Sequence, residues 1–294
     1  MEYRTASTPL LEIGYVDDGP TNGKPLLLLH GWPDDIHAWD HVAPVLHRQG
    51  LRTITPYLRG FGPTRFHSPA TVRDARAVAL TQDAIDLLDA LEVEAVSVIG
   101  HDWGARIAYS LAGLFPERVI RIIALSLPFQ PGGTFPIPTY EQCRRFWYQL
   151  FLCSYKGAEQ VRKDPVSFSR FQWETWAPAG WFDESAWNST SLSFQNPDYP
   201  AITLHSYRTR WMAEEVDPRY ELLQERLDRI SSLSVSTLQI HGDEDYPDPP
   251  ALFQRQQDFF TGFFRRELLA GIGHFPMREQ PLITAELILE HLTD

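Results

Sequence analysis

A glycine-bracketed acidic residue lies between a predicted buried strand and a predicted helix, in the run Gly100-His101-Asp102-Trp103-Gly104. A sharp strand-to-helix turn of this kind lifts the middle side chain above a sheet, and the flanking glycines avoid collisions with neighbouring backbone. The middle residue is aspartate, and neither G-x-S-x-G nor G-x-C-x-G occurs elsewhere in the chain. Asp102 is therefore the candidate nucleophile, although an aspartate in front of a helix can also serve simply as its N-cap.

An aspartate nucleophile restricts the chemistry. A carboxylate attacks an ester poorly, because the resulting anhydride is less stable than the substrate. It can attack a saturated carbon that bears a strained or good leaving group, and the product is an alkyl–enzyme ester. Water must then cleave this ester, so the site also needs a general base and an oxyanion hole.

The base and the acid that orients it are expected in two loops that follow strands near the end of the chain. His274 lies between Gly273 and Phe275 and is the candidate base. The run 241–248 supplies the acid, and spacing after its glycine favours Asp245 over three competitors: Asp243, Glu244 and Asp248. The order nucleophile, acid, histidine along the chain is typical of one large class of hydrolases.

The oxyanion hole is expected to consist of two backbone N–H groups. Trp32 lies in His30-Gly31-Trp32-Pro33, directly after an apolar run, and Trp103 follows the nucleophile at a helix N-terminus. Both tryptophans are also candidate substrate contacts. We expect His101 to be a structural hydrogen-bonding neighbour. Several other histidines lack a comparable context and are expected to be solvated: His37, His41, His47, His67 and His291.

These residues must be positioned by an α/β framework. Short apolar or β-branched runs predict strands at 26–29, 53–55, 95–100, 119–125, 235–240 and 266–269, and apolar spacing predicts helices at 38–48, 77–91, 103–114 and about 283–292. Alternation of this kind indicates βαβ units, so we expect a mostly parallel, twisted sheet flanked by helices.

The pattern breaks between the fourth and fifth predicted strands. No buried strand is predicted from about 128 to 233, and aromatic-rich helical segments alternate there with turn signals. We expect residues 1–127 and 235–294 to form the core and residues 128–234 to form an inserted helical cap, or lid. The insertion contains six of the nine tryptophans, namely Trp147, Trp173, Trp176, Trp181, Trp187 and Trp211.

Composition excludes several classes of function. The chain has 294 residues, a net charge of −12 and 43% hydrophobic residues, which fits a folded globular protein and disfavours binding to nucleic acid or anionic membranes. Two cysteines and no apparent signal peptide predict a cytoplasmic location.

No cluster with metal-ligand spacing and no dinucleotide fingerprint is present, so no metal or organic cofactor is expected. A monomer and a homodimer both remain open.

With these motifs, the chain resembles the α/β-hydrolase superfamily, and specifically its aspartate-nucleophile branch. The resemblance runs from His30-Gly31-Trp32-Pro33 through the Asp102 turn to Gly273-His274. It implies an α/β-hydrolase fold with a helical cap over the active site. It also implies one of three activities: epoxide hydrolase, haloalkane dehalogenase or fluoroacetate-type dehalogenase.

The cap should discriminate among these activities, because epoxide opening creates an alkoxide that needs proton donors. Epoxide hydrolases supply two cap tyrosines, and by resemblance these are Tyr148, followed by Gln149, and Tyr207, followed by Arg208. Gln149 is a further candidate substrate contact. Three other tyrosines compete for these positions: Tyr140, Tyr155 and Tyr199. We therefore predict an epoxide hydrolase.

A dehalogenase with the same triad is the alternative. Haloalkane dehalogenases commonly have asparagine where this chain has Trp32, which disfavours that activity. Fluoroacetate dehalogenases resemble the chain at Tyr207 and use arginines near the nucleophile to hold a carboxylate. Arg106 could act in this way, or it could pair with an acidic residue on the core surface. A non-catalytic ligand-binding protein of this fold is disfavoured because no triad member is missing.

The aromatic content indicates the kind of substrate. Tryptophans concentrated in a cap above Asp102 predict a dry, apolar pocket, which suits a small hydrophobic epoxide. The net charge of −12 disfavours recruitment of a carboxylate in the same way.

Overall fold

The computed structural model describes residues 2–133, 135 and 137–293, and within them nine strands form one sheet. The strands are β1 (Arg4–Ser7), β2 (Leu11–Asp18), β3 (Lys24–Leu29), β4 (Leu51–Pro56), β5 (Arg65–Phe66), β6 (Val96–His101), β7 (Val119–Leu125), β8 (Thr237–Gly242) and β9 (Phe264–Leu269). Their spatial order is β1-β2-β4-β3-β6-β7-β8-β9, and β5 pairs with β2. From β4 to β9 all neighbouring strands are parallel, whereas β1, β4 and β5 pair with β2 in antiparallel fashion.

Helices flank this sheet and fill the segment between β7 and β8. They are α1 (Ala43–Arg48), α2 (Ala77–Ala90), α3 (Trp103–Leu114), α4 (Tyr140–Arg145), α5 (Trp147–Cys153), α6 (Tyr155–Lys163), α7 (Pro165–Thr175), α8 (Glu184–Ser191), α9 (Tyr199–Arg208), α10 (Glu221–Asp228), α11 (Pro276–Glu279) and α12 (Pro281–Thr293). In the core, α3 packs on β6 and β7, α1 packs on β4, and α12 packs on β7 and β8. The predicted α/β architecture is therefore confirmed.

The parallel strands are buried along their length, which explains why they read as continuous apolar runs. Every residue of β6 and of β8 is buried, as expected for central strands covered on both faces. The structure assigns β7 to Val119–Leu125, the predicted range, and shifts β8 two residues later than predicted.

Two parts of the framework differ from the prediction. Strands β1, β2 and β5 were not expected, and they form the antiparallel edge of the sheet. The helix predicted from residue 38 begins only at Ala43. It is preceded by a 3₁₀ turn (Ile36–Trp39) that Asp35 caps by accepting a hydrogen bond from the His37 N–H. Pro44 lies in the first turn of α1, where a missing N–H is tolerated, and a helix running through it from residue 38 would lose a hydrogen bond.

The prediction that His291 is solvated is wrong, because this side chain, on α12, is fully buried. The ring stacks near Phe263, with centroids 5.8 Å apart. The apolar period of the terminal helix, which includes Ala285 and Ile288, extends to position 291.

The helices α4 to α10 follow the carboxyl end of β7, and no strand interrupts them in the part of the chain that the structure describes. Contacts join this segment to the loop after β3. The Trp173 indole donates to the Pro33 carbonyl at 2.6 Å, and the Trp32 indole donates to Thr203 Oγ1 at 3.0 Å. The segment therefore packs directly over the end of the sheet that carries Asp102. No helix among the described residues combines the length and the apolar character needed to cross a membrane.

One buried ion pair connects three parts of the chain. Arg278, in α11 just after His274, donates to both oxygens of Asp34 at 2.6 and 3.0 Å, and Asp34 lies in the loop that also carries Trp32. The same guanidinium donates to Thr190 of α8 at 2.9 Å. The Asp34 side chain is fully buried, so its charge depends on this partner.

We predict that Arg278→Met lowers the free energy of unfolding by about 3–5 kcal/mol, because it leaves the Asp34 carboxylate buried without a cation. Urea denaturation followed by circular dichroism measures the change. Arg265→Met is the matched control, since Arg265 pairs with the exposed Glu290 and its loss should cost less than about 1 kcal/mol. Equal effects of the two changes would contradict the assignment.

Candidate active site

The turn between β6 and α3 holds Asp102 in a rare backbone conformation. Its φ is 50° and its ψ is −113°, a region that residues other than glycine seldom occupy. Glycine is required on both sides: a Cβ on Gly100 would overlap the Gly104 carbonyl, and a Cβ on Gly104 would overlap the Leu29 carbonyl. The Asp102 side chain makes no capping hydrogen bond to α3, so its carboxylate is available for chemistry and the simple N-cap interpretation does not hold.

The Asp102 carboxylate has a different environment at each oxygen. Oδ1 accepts a hydrogen bond from the Trp32 backbone N–H at 2.8 Å. Oδ2 lies 3.8 Å from His274 Nε2. Gly31 must be glycine because a Cβ there would collide with Asp102. Oδ1 therefore contacts one of the two predicted oxyanion donors, whereas Oδ2 is the oxygen beside His274. The Trp103 N–H, at the first position of α3, stays a prediction for the second.

His274 and Asp245 meet at the ends of neighbouring strands. His274 Nδ1 lies 2.9 Å from Asp245 Oδ2, and both side chains are fully buried. Asp245 Oδ1 accepts the Asp248 N–H at 3.0 Å, and His241 Nε2 lies 3.3 Å from Oδ2. Of the four acids in this loop, Asp243 is exposed and instead accepts the Gly271 N–H. The structure therefore places Asp245 beside His274.

Burial and neighbouring charge act in opposite directions on the pKa values of these three groups. Burial alone would raise the pKa of Asp245, but the charge of His274 and hydrogen bonds from both histidines lower it to about 2. Burial likewise opposes ionisation of Asp102, and contacts with His274 hold its pKa below the usual range. Burial would lower the pKa of His274, yet Asp245 and Asp102 raise it well above that of an ordinary histidine. These directions favour an imidazolium between two carboxylates at neutral pH.

The backbone of His274 is anchored by groups that the sequence did not single out as a set. The His274 carbonyl accepts hydrogen bonds from His101 Nε2 at 2.7 Å and from the Ser126 hydroxyl at 2.8 Å. Burial lowers the pKa of His101 to about 4, so this ring is neutral, and its Nε2–H donates the hydrogen bond to the His274 carbonyl. The His274 N–H donates to the Trp176 carbonyl at 3.2 Å. This loop is therefore fixed on both its core and its helical side.

Tyr148 on α5 and Tyr207 on α9 line one cavity with Asp102, and that cavity has a volume of about 240 Å³. Their rings meet edge to face with centroids 5.3 Å apart. Of the competing tyrosines, Tyr140 and Tyr155 are exposed, and the Tyr199 hydroxyl is bonded to Ser169 at 2.6 Å. Burial raises the pKa of both cavity phenols well above its usual value, so both remain protonated donors.

The three predicted substrate contacts differ in position: Gln149 lines the Asp102 cavity, whereas Trp32 and Trp103 are not among its lining residues. The Gln149 amide donates to the Tyr148 hydroxyl at 3.0 Å and its oxygen accepts the Trp211 indole N–H at 3.1 Å, so it orients Tyr148. The Trp32 ring lies behind the tyrosines, with its centroid 5.9 Å from that of Tyr148, and it is absent from the wall of the Asp102 cavity. Trp103 lines a neighbouring cavity instead.

The cavity wall also contains charged residues besides Asp102, and of these only Arg106 was considered from the sequence as a possible ligand contact. Arg106 lines the cavity, and no carboxylate among the described residues lies within ion-pair distance of it, so pairing on the core surface is not observed. Arg210 and Asp248 complete this group. Arg210 lies three positions after Tyr207, and Asp248 lies three positions after Asp245. This closeness in sequence to a candidate residue is the one signal that could have identified them. The pocket is more polar than the tryptophan content led us to expect.

A family model for the alpha/beta hydrolase fold matches residues 24–279. The chain belongs to the α/β-hydrolase fold family. This α/β-hydrolase is 25% identical to epoxide hydrolase A of Mycobacterium tuberculosis over 99% of its own length and 97% of the relative's. It is 34% identical to epoxide hydrolase 3 of Siraitia grosvenorii over 163 residues, 55% of this chain but only 49% of the relative.

Among solved structures, this α/β-hydrolase is similar to a provisionally assigned epoxide hydrolase of Klebsiella pneumoniae. The TM-score is 0.91 at 34% identity, and the alignment covers 99% of this chain and 97% of that chain. Within its family the chain is therefore epoxide-hydrolase-like.

We predict that His274 titrates above the usual histidine pKa of about 6.5, and that Asp245→Asn lowers its pKa because burial then acts against a weaker opposing charge. Imidazole ¹⁵N chemical shifts followed by NMR from about pH 5 to pH 9 report both values. His101 is the internal control and should stay neutral throughout, because its pKa is about 4. A wild-type His274 that titrates below the usual value would overturn the imidazolium assignment.

Proposed function

We propose that this α/β-hydrolase opens epoxides to vicinal diols through a covalent ester on Asp102. The observation that carries the proposal is the placement of two protonated phenols, Tyr148 and Tyr207, in the same cavity as the Asp102 carboxylate. A nucleophile facing two proton donors across a small space suits a strained ring whose carbon is attacked while its oxygen is hydrogen-bonded. The similarity to epoxide hydrolases supports the same activity.

In the first step, Asp102 Oδ2 attacks one epoxide carbon and forms a C–O bond while the ring C–O bond breaks. The electron pair of the broken bond stays on the epoxide oxygen, which becomes an alkoxide. Tyr148 and Tyr207 donate hydrogen bonds to this oxygen, and one phenol transfers its proton, because an alkoxide is a stronger base than a phenolate. Gln149 keeps the Tyr148 hydroxyl aimed at the cavity, since its own amide N–H occupies the acceptor side of that hydroxyl.

Formation of the ester changes the charge beside His274. Esterified Asp102 is neutral, so one of the two carboxylates that raise the pKa of His274 is lost. The imidazolium therefore becomes a stronger acid and returns its proton, through water, to the tyrosinate formed in the first step, so the neutral ring can act as general base only after alkylation. This coupling keeps the base inactive until there is an ester to cleave.

In the second step, His274 takes a proton from water, and the hydroxide attacks the Asp102 carbonyl carbon. The developing negative charge lies on Oδ1, which already accepts the Trp32 N–H, and the Trp103 N–H is proposed as the second donor. Collapse of the tetrahedral intermediate breaks the bond between the carbonyl carbon and Oδ2. The proton of the new hydroxyl passes to Oδ2, and the diol leaves with that oxygen. Asp102 is again a carboxylate and contains the solvent oxygen, and His274 is again an imidazolium.

A dehalogenase is the second candidate function, because halide departure can use the same triad without a proton donor. Two observations favour it: the indole Nε1 atom of Trp176 has no hydrogen-bond acceptor among the described residues, and Arg106 lines the Asp102 cavity without an ion-pair partner there. Trp176 packs against His274, with ring centroids 4.9 Å apart, so this donor lies near the reacting groups. A ligand-binding role without catalysis is less consistent with three triad side chains that lie next to one another.

The setting of the enzyme is also part of the proposal. Two cysteines without a disulfide, Cys143 and Cys153, support a reducing cytoplasmic compartment. The apolar part of the substrate would pack against the cavity residues Leu127, Phe129 and Phe146. For the oligomeric state, a monomer and a homodimer are both retained from the sequence analysis.

We predict that Tyr148→Phe combined with Tyr207→Phe lowers kcat/KM for styrene oxide by about 10²–10⁴-fold, because both alkoxide donors are lost while ring packing is kept. Diol formation measured by chromatography checks this. Wild type and variant are assayed in parallel with 1-bromobutane and with fluoroacetate, whose leaving halides need no proton. Styrene oxide turnover should greatly exceed halide release in the wild type. Halide release that exceeds diol formation, or epoxide turnover that survives the double change, would refute the epoxide-hydrolase proposal.

We predict that the oxygen added to the epoxide in a first turnover comes from Asp102. With excess enzyme in H₂¹⁸O, the first diol should carry no solvent label, and mass spectrometry of the Asp102 peptide should show one ¹⁸O. In Asp102→Asn the label should be absent from the peptide, because no ester forms. A first diol that contains ¹⁸O would instead indicate direct attack by water.

A further inference from the structure

Two arginines stand where the Asp102 cavity meets a second cavity of about 370 Å³. Arg106, on α3, and Arg210, two residues beyond α9, line both spaces, together with Gln130 and Phe135. A molecule that extends from Asp102 toward the second cavity must therefore pass both guanidinium groups.

These two partly buried arginines differ from Arg59 and Arg278 in lacking an acidic partner. Arg59 is bonded to Asp83, and Arg278 to Asp34. For Arg106 and Arg210, no carboxylate oxygen lies within 4 Å among the residues that the structure describes. The Arg210 guanidinium has a long contact of 3.5 Å to the Gln149 oxygen and lies over the Tyr207 and Phe135 rings, 4.7 and 5.6 Å from their centroids.

The two cations also repel each other in a site of low dielectric. Burial and the charge of Arg210 lower the pKa of Arg106 to about 10, so Arg106 is still charged at neutral pH. Asp102 and Asp248 offset part of this repulsion at Arg106 without forming an ion pair with it, and a bound anion would relieve more of it. An arginine pair left in this state is suited to a ligand that brings the missing charge.

The carboxyl groups of the cavity do not fill this role. Asp102 is already engaged by His274 and by the Trp32 N–H. Asp248 faces the same cavity, but burial and the charge of Asp245 raise its pKa to about 7, so it is only partly ionised near neutral pH. Neither carboxylate makes an ion pair with an arginine of the wall.

We propose that Arg106 and Arg210 bind a carboxylate of the substrate, so that the preferred substrates are epoxides that carry a carboxylate group. This inference rests on the proposed function and names its substrate class. A singly charged, planar carboxylate fits two guanidinium groups, whereas a doubly charged phosphate would be repelled more strongly by Asp102 and Asp248 in the same wall. Arg106 lies one helical turn, about 6 Å, after Asp102, so few bonds should separate the carboxylate from the epoxide.

The test compares two substrates of nearly equal shape, 3-phenylglycidate and 3-phenylglycidamide, at about pH 8, where the acid is ionised. In the wild type, kcat/KM for the acid should exceed that for the amide by about tenfold or more, since charge-assisted hydrogen bonds are the stronger ones. Arg210→Gln and Arg106→Gln should each lower this ratio by about tenfold. Using the ratio within one variant cancels any general loss of activity.

Two control variants separate local recognition from net charge and from misfolding. Arg162→Gln removes one positive charge from the exposed face of α6 and should leave the ratio unchanged. Arg210→Lys keeps the charge and should retain most of the preference. A wild-type enzyme that hydrolyses acid and amide equally well, or a ratio that does not change in either glutamine variant, would overturn the carboxylate subsite and leave the epoxide hydrolase intact.

If neither phenylglycidate nor styrene oxide is hydrolysed, the proposed function fails, and binding then tests the subsite independently. Calorimetry with wild-type protein compares 3-phenylpropanoate with 3-phenylpropanamide, which have no epoxide. Binding of the acid at least about tenfold tighter than the amide, lost in Arg210→Gln, supports the subsite. Equal affinities refute it.

Discussion

Three buried ionisable side chains, Asp102, His274 and Asp245, stabilise one another's charges, and none could remain ionised there alone. Each carboxylate loses hydration on burial, and the imidazolium between them compensates both. The arrangement demands accurate placement, because Coulomb energy in a low-dielectric site changes steeply with distance. The parallel strands provide this placement. Strands β6, β8 and β9 end at the same edge of the sheet, so the loops that follow them bring the three side chains together.

In the mechanism that we propose, the same arrangement lets one histidine serve both steps. With Asp102 ionised, His274 would hold its proton; with Asp102 esterified, one stabilising charge would be gone and the proton would be released more readily. No movement of the ring is required for this change, because the switch is the covalent state of the nucleophile. The anchoring of the His274 carbonyl by His101 and Ser126 is consistent with a ring that stays in place.

The parts of the fold that could be predicted from sequence are those in which local pattern and burial agree. Strands β3, β6 and β7 are apolar runs because both sheet faces are covered, and the glycines around Asp102 reflect backbone contacts that allow no Cβ. The edge strands β1 and β2 were missed, since β1 is largely exposed and β2 contains Gly14 and two terminal aspartates. Arg106, Arg210 and Asp248 come from three distant segments, and no periodicity within any one of them reports that they share a wall.

The polarity of that wall revises the inference drawn from net charge. A chain with a charge of −12 was expected to disfavour a carboxylate ligand, but this reasoning assigns every acidic residue equal weight. Salt largely screens the effect of exposed carboxylates that lie more than about 10 Å from the ligand. Guanidinium groups in the cavity wall act on the ligand through a medium of lower dielectric constant than water. The local field at the cavity is therefore set by Arg106, Arg210, Asp102 and the partly protonated Asp248. That field would accommodate the proposed substrate, with its anionic group near the arginines and its neutral epoxide near Asp102, and the acidic surface would not oppose this arrangement once the ligand has entered.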